Sequence, residues 1–174
     1  GVRIDADGAL HDESRAADAA LRDELQRIEA DLAEPLPVGY ASEVTPLLDG
    51  WLSAIAAALS SGVLLLFDYG LGRREYYHPQ RASGTLRCHY RHRAHHDPLR
   101  YPGLQDITAW VDFTRVAEAA SDAGLGVDGY CNQAAFLLGA GIDAELAAAD
   151  DSQQRARLAS EARQLLLPGE MGEV

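Results

Sequence analysis

Apolar and polar positions alternate at the start of the chain. Val2 and Ile4 are separated by polar residues, and Asp7-Gly8 supplies a turn that tolerates positive φ. Val2–Leu10 therefore predicts a short hairpin. The period then lengthens. Leu21, Leu25, Ile28 and Leu32 recur at three and four, which predicts a helix within Asp12–Leu32, ended by Pro35 and Pro37. A second helix is expected within Gly39–Leu59. Leu48, Trp51, Leu52, Ile55, Ala58 and Leu59 form its apolar stripe, Thr45 is placed to cap it, Pro46 sits near its first turn, and Ser60-Ser61-Gly62 stops it. Val63–Phe67 is then apolar without alternation and ends at Asp68. Such a run predicts a strand buried on both faces, as at the centre of a parallel sheet. Helix, tight turn, buried strand and terminal Asp make half of an α/β unit.

Tyr76–Arg100 breaks this pattern with a long polar stretch. Thr85–Tyr90 reads as one strand and the rest as loop or short helix. After a Pro102-Gly103 turn, Leu104–Phe113 predicts a short strand running into a helix capped by Asp112 or Thr114. Val116, Ala119, Ala120 and Ala123 give that helix a packed face, and Gly124 suits its C-terminal cap. Gly126–Tyr130 fits another short strand. Ala144–Leu167 is a long Ala-rich helical pattern divided at Asp150-Asp151 and ended by Pro168-Gly169. Helices outnumber strands, and two or three sheet strands are fewer than a complete doubly wound sheet uses.

With 174 residues the chain suits one domain. It begins at Gly1 rather than Met and ends in Gly169–Val174, which reads as the middle of something. The expectation is a fragment. The net charge is -12, and all 15 basic residues are Arg. That balance argues against general binding of nucleic acid or anionic membrane. The charge is unevenly placed. Arg73–Arg100 holds seven Arg against Glu75 and Asp97, a local +5, which leaves -17 for the remainder. His78, His89, His92, His95 and His96 lie in the same stretch. Cys88 and Cys131 form no C-x-x-C pair, so a reducing, cytoplasmic setting is expected. Gly50–Phe67 is uncharged over 18 residues, but Ser60-Ser61-Gly62 interrupts it, and it reads as helix, turn and strand rather than a membrane span.

Ligands of open α/β sheets bind beyond the carboxyl ends of the strands. Asp68, Tyr69 and Gly70 hold that position; the competing reading is a turn cap and a packed ring. Gly70-Leu71-Gly72 lacks the third glycine of a dinucleotide fingerprint, and no apolar helix pattern follows it. The histidines between His89 and His96 match no zinc spacing, and their Arg neighbours oppose a cation, so no metal is expected. A basic, aromatic-rich loop facing an anion or carboxylate fits better.

An ordered set of segments resembles the C-terminal half of the MidA / NDUFAF-type family of S-adenosylmethionine-dependent protein arginine methyltransferases. The set runs from Pro37-Val38-Gly39-Tyr40-Ala41-Ser42-Glu43-Val44 through Leu65-Leu66-Phe67-Asp68-Tyr69-Gly70 and Arg74-Glu75-Tyr76-Tyr77-His78-Pro79. It continues with Gly84-Thr85-Leu86-Arg87, His92, Pro102–Ala109 with Val111-Asp112-Phe113, Phe136–Ile142, and Leu167-Pro168-Gly169-Glu170-Met171-Gly172. The resemblance implies an α/β fold: a partial Rossmann-like class I methyltransferase, the distal half of the sheet with extra helices and an inserted Arg/His-rich loop over residues 73–106. The family's glycine-rich cofactor loop is not in this sequence, so S-adenosylmethionine is expected for the longer protein and not for this chain alone.

The implied substrate is a protein bearing arginine. Guanidinium is a poor nucleophile because its pKa exceeds about 12. Carboxylates must orient its nitrogen and localise charge, and a proton must leave. The resemblance makes Glu43, Asp68 and Asp106 candidate catalytic carboxylates and His92 a candidate proton acceptor. Tyr69, Arg87 and Asp112 are candidates for substrate binding or loop ordering, Asp112 also for a helix cap. A half sheet further implies a homo-oligomer through an exposed edge. Three other classes stay open: a non-catalytic protein-binding or assembly module, a small metal hydrolase, and a purely structural helical domain.

Overall fold

The computed structural model describes residues 1–148 and 151–167. The expectations that rest on Asp150 and on the segment from Pro168 onward lie outside them. The contacts divide the chain into two compact units. One joins Gly1–Ser61 to Gly70–Leu125, and the other joins Gly62–Tyr69 to the chain from Gly126 onward.

The first unit opens with the expected hairpin. Strands β1 (Val2–Ile4) and β2 (Leu10–Asp12) pair antiparallel, and Gly8 turns the chain at φ 82°. Helix α1 (Ala19–Ala30) is shorter than the periodicity allows, because β2 takes Asp12 and Asp18 caps the helix by accepting from the Leu21 N–H at 2.9 Å. Helix α2 (Leu48–Ala58) starts at Leu47 without a side-chain cap; Thr45 contributes its carbonyl to the Leu48 N–H instead. Strand β3 (Gly70–Leu71) runs directly into the short helix α3 (Arg73–Tyr76). Ile28, Tyr76 and Tyr77 form the buried centre, with Leu32, Leu36, Tyr40, Val44 and Leu71 packed around them.

The stretch expected as an inserted loop is folded. Strands β4 (Arg87–Tyr90), β5 (Arg93–His95) and β6 (Asp106–Thr108) make an antiparallel sheet in the order β5-β4-β6. The hidden strand β5 has a physical cause. Arg91 and His92 take left-handed conformations, φ 48° and 62°, and close a two-residue hairpin without the glycine that normally marks one. Strand β7 (Val111–Asp112) leads into helix α4 (Phe113–Asp122), which packs on α2. Asp112 is the cap, and Gly124 (φ 83°) closes the helix end: its N–H meets the Ser121 carbonyl while that of Leu125 meets Ala120.

Strands β3 and β7 pair parallel, with Gly70 opposite Val111 and Leu71 opposite Asp112, and a single parallel bridge joins Ala41 to Ser83. Gly70 is required there, since a Cβ would lie 2.3 Å from the Val111 carbonyl and 2.7 Å from the Phe113 ring.

The second unit corrects the strand expected at Val63–Phe67. This segment joins no ladder among the described residues, and Val63 (80%) and Phe67 (52%) are exposed. Gly126–Tyr130 is likewise without a ladder. An apolar run supplies the faces of a strand, but its backbone groups need a neighbour of suitable direction, which the described residues do not offer. The rest is helical: α5 (Gln133–Gly139), α6 (Ile142–Ala147) and α7 (Ser152–Leu166). Asn132 caps α5 and Asp151 caps α7, so the expected division of the long pattern holds at Asp151. The Phe67 ring meets Phe136 edge-on at 5.1 Å. No described helix is long and apolar enough to cross a membrane.

Candidate functional site

Two buried arginines organise the first unit, and sequence reasoning missed both. Arg73 opens α3 at 2% exposure. Its Nε donates to Asp112 Oδ2 at 3.2 Å, its Nη1 to Asp31 at 2.6 Å and to Glu118 at 2.8 Å, and its Nη2 completes a forked pair with Glu118. Arg115 lies on α4 at 4% exposure, donating to Glu24 at 2.9 Å and Asp49 at 2.6 Å. Burial opposes the charge on both guanidiniums, yet hydrogen bonds and nearby carboxylates hold their pKa values above the ordinary one. One signal could have found Arg115: it stands four residues before Ala119, on the packed face of its helix.

Asp112 serves this network. Its Oδ1 accepts from the Arg115 N–H at 3.2 Å while Oδ2 takes Arg73. Burial raises its carboxyl above the usual range. Both oxygens are engaged, which makes Asp112 a cap and an ion-pair partner rather than a group free to bind substrate.

Glu43 is also fully engaged. Its Oε2 accepts from the Thr85 N–H and hydroxyl, both at 2.9 Å, and from the Tyr76 hydroxyl at 3.4 Å; its Oε1 accepts from the Leu86 N–H at 3.1 Å. Thr85 Oγ1 in turn accepts from the Trp110 N–H at 2.9 Å, and Tyr76 donates to the Trp110 carbonyl at 3.2 Å. Burial pushes the Tyr76 phenol up. Gly84 (φ 76°) leaves room for this carboxylate, because a Cβ there would come within 2.3 Å of Oε1. Glu43 therefore fixes the turn before β4 and ties it to β7. The loop ordering expected of Arg87 falls to Glu43. Arg87 is exposed and forms no ion pair among the described residues, since it points away from the buried side of its sheet.

Register decides which remaining candidates meet. In β4 and β6 His89 faces Asp106 and Arg87 faces Thr108. Directly opposite residues share a face, so Arg87, His89, Asp106 and Thr108 line one exposed side of the sheet. Cys88, fully buried, and Tyr90 point to the other side. Burial raises the Cys88 thiol. Asp106 makes no hydrogen bond or ion pair through its carboxylate among the described residues, leaving both oxygens available. His92 is not brought to this face; it sits at the exposed β4–β5 turn.

Asp68 and Tyr69 belong to the second unit. Asp68 Oδ1 accepts from the Tyr69 N–H at 2.8 Å, its other oxygen has no partner among the described residues, and Tyr69 is 53% exposed. No three His, Cys, Asp or Glu side chains converge as a metal set among the described residues. The Gly70-Leu71-Gly72 segment offers no cofactor cradle either. Gly70 is closed by Val111 and Phe113, and Gly72 caps a single helical turn.

Comparison with known proteins places this geometry. A family of S-adenosyl-L-methionine-dependent methyltransferases matches residues 1–131. The mitochondrial protein arginine methyltransferase NDUFAF7 of Danio rerio is 34% identical over 119 residues, which is 67% of this chain and 26% of that protein. Its counterpart from Rattus norvegicus is 33% identical over 120 residues, again 67% and 26%. A crystal structure from Burkholderia thailandensis, bound to S-adenosyl-homocysteine, shares 44% identity at a TM-score of 0.84, covering 99% of this chain and 44% of that one. A native structure from the same organism gives 43% identity, a TM-score of 0.85, and coverage of 99% and 46%. The chain thus spans about a quarter of the curated relatives and under half of the solved proteins. The match over residues 1–131 shows that this chain belongs to the S-adenosyl-L-methionine-dependent methyltransferase family.

Proposed function

We propose that this chain is the acceptor-orienting part of an S-adenosylmethionine-dependent methyltransferase acting on arginine in a protein. The observation that carries the reading is likeness over 99% of the chain, at a TM-score of 0.84, to a protein bound to S-adenosyl-homocysteine. The 34% identity to a protein arginine methyltransferase supports arginine as the acceptor. In this reading Val63–Phe67 and Gly126–Tyr130 are strands of a larger Rossmann-like parallel sheet whose neighbours lie outside this chain. The unbroken apolar run of Val63–Phe67 supports that assignment for the first of them.

Among the candidate carboxylates, Asp68 and Asp106 have oxygens not already committed to the fold. A guanidinium held by one of these would present a fixed nitrogen, and the carboxylate would stabilise the charge left on the other nitrogens. Glu43 and Asp112 position backbone around β7 rather than touching the acceptor. Gly70 and Gly72 are closed by packing and helix capping and form no cradle, so this reading assigns the cofactor to the remainder of the longer protein.

Calorimetric titration with S-adenosylmethionine and S-adenosylhomocysteine tests this, comparing this chain with a form extended at its N-terminus. Binding by the extended form alone is expected. Binding by neither would overturn the reading in favour of an assembly module. Binding by the short chain would show that the cofactor is held by residues described above.

A further inference from the structure

The face of the β4–β5 hairpin opposite Arg87 and Asp106 has no role in the function proposed above. Tyr90 and Tyr101 stack there, ring centroids 4.5 Å apart at 31°. The Arg91 guanidinium lies over Tyr90 and that of Arg100 over Tyr101, each at 5.2 Å. Arg93 stands directly opposite Tyr90 in the sheet register and shares its side. All three arginines are exposed, and none forms an ion pair among the described residues. The nearby acid Asp97 is also exposed, with its Oδ1 occupied by the Leu99 N–H at 3.0 Å.

We propose that this surface docks an acidic segment of a partner protein. Three features point to that occupant. Stacking fixes the Arg91 and Arg100 guanidiniums in place with their N–H groups unpaired, which lowers the ordering cost of gripping carboxylates. The surface itself presents Arg91, Arg93 and Arg100 with only Asp97 nearby, in a chain of net charge -12, so an acidic partner is attracted here and repelled elsewhere. The turn is held in left-handed geometry at Arg91 and His92, where Asn-Gly would be easier; backbone strain of this kind collects at functional surfaces. A nucleic acid fits less well. Each tyrosine ring is already covered by the other ring and a guanidinium, leaving little free face for a base. The inference does not depend on methyl transfer.

The test is fluorescence anisotropy of a labelled poly-glutamate peptide titrated with this chain. Binding that weakens as salt rises is expected. The triple reversal Arg91→Glu, Arg93→Glu, Arg100→Glu should reduce affinity by at least about tenfold. A control of equal charge change, Arg3→Glu, Arg157→Glu and Arg163→Glu, should leave most of it. Should reversal unfold the hairpin, the milder Arg91→Gln, Arg93→Gln, Arg100→Gln set still removes the charge and should show an intermediate loss. Equal losses in target and control sets, or no peptide binding, overturn the proposal. Tighter binding of a single-stranded oligonucleotide than of the peptide overturns it in favour of nucleic acid. Self-association that the reversal abolishes, without peptide binding, overturns it in favour of a second copy of this chain.

Discussion

Replacing Arg73 with methionine removes the guanidinium that joins α1, β7 and α4 while keeping much of the stem's volume. The three partners then fare differently. Asp31 and Glu118 side chains are 50% and 34% exposed, so both can return to water at small cost. The Asp112 side chain is 9% exposed and cannot. Breaking a buried pair from one side typically costs about 3–5 kcal/mol. The partial exposure of the other two partners places Arg73→Met near the lower end, at about 3 kcal/mol, or roughly a hundredfold in the folding equilibrium. Adding Asp112→Asn should recover a large part of this. Asparagine keeps an oxygen for the Arg115 N–H but carries no charge to strand. Urea unfolding followed by tryptophan fluorescence reads the right unit, because Trp51 and Trp110 both lie within it. A cost below about 1 kcal/mol for the single variant, or no recovery in the double, would refute the assignment of a stranded Asp112 charge.

Gly70→Ala should destabilise the first unit by at least about 1–3 kcal/mol, since its Cβ would press on backbone and an aromatic ring; an unchanged urea midpoint would contradict the tight β3–β7 approach. Glu43→Gln leaves an amide that cannot accept from every donor around it, and Gly84→Ala displaces the same carboxylate. Both should raise hydrogen exchange at Thr85 and Leu86 well before the protein unfolds, and protection equal to wild type would rule out the cradle. Arg115 holds the Asp49 carboxyl below its ordinary value, so the stability from this pair is full above about pH 3.9 and is lost as pH falls through the lower folded-state value. Buried Asp112 acts in the opposite sense: its carboxyl is raised, so its charging weakens the fold as pH climbs through that value. The difference in urea midpoint between wild type and Asp49→Asn should therefore shrink in acid, and a gap independent of pH would refute the coupling.

The sequence by itself determined the elements whose signals are local. The β1–β2 turn at Gly8, the apolar stripes of α1 and α2, the Asp112 cap, the Gly124 stop and the division at Asp151 all depend on residues a few positions apart. The ordered segments from Pro37 onward also sufficed to indicate the family. Strand pairing was not determined in this way. Val63–Phe67 has the composition of a central strand, but composition does not provide a neighbour, whereas β5 pairs although its turn residues are Arg and His. The candidate site divided along the same line. That Glu43, Asp68 and Asp106 are acidic residues near turns or strand ends was legible. That Glu43 is enclosed by Thr85 and Leu86, 42 and 43 positions away, was not. Arg115 reaches Glu24 across 91 positions; its place on the packed face of α4 is a local signal of burial, but no local pattern reports which carboxylate it meets there. Only tertiary structure brings those charges together, because a buried ion pair exists only where the chain folds a partner against it.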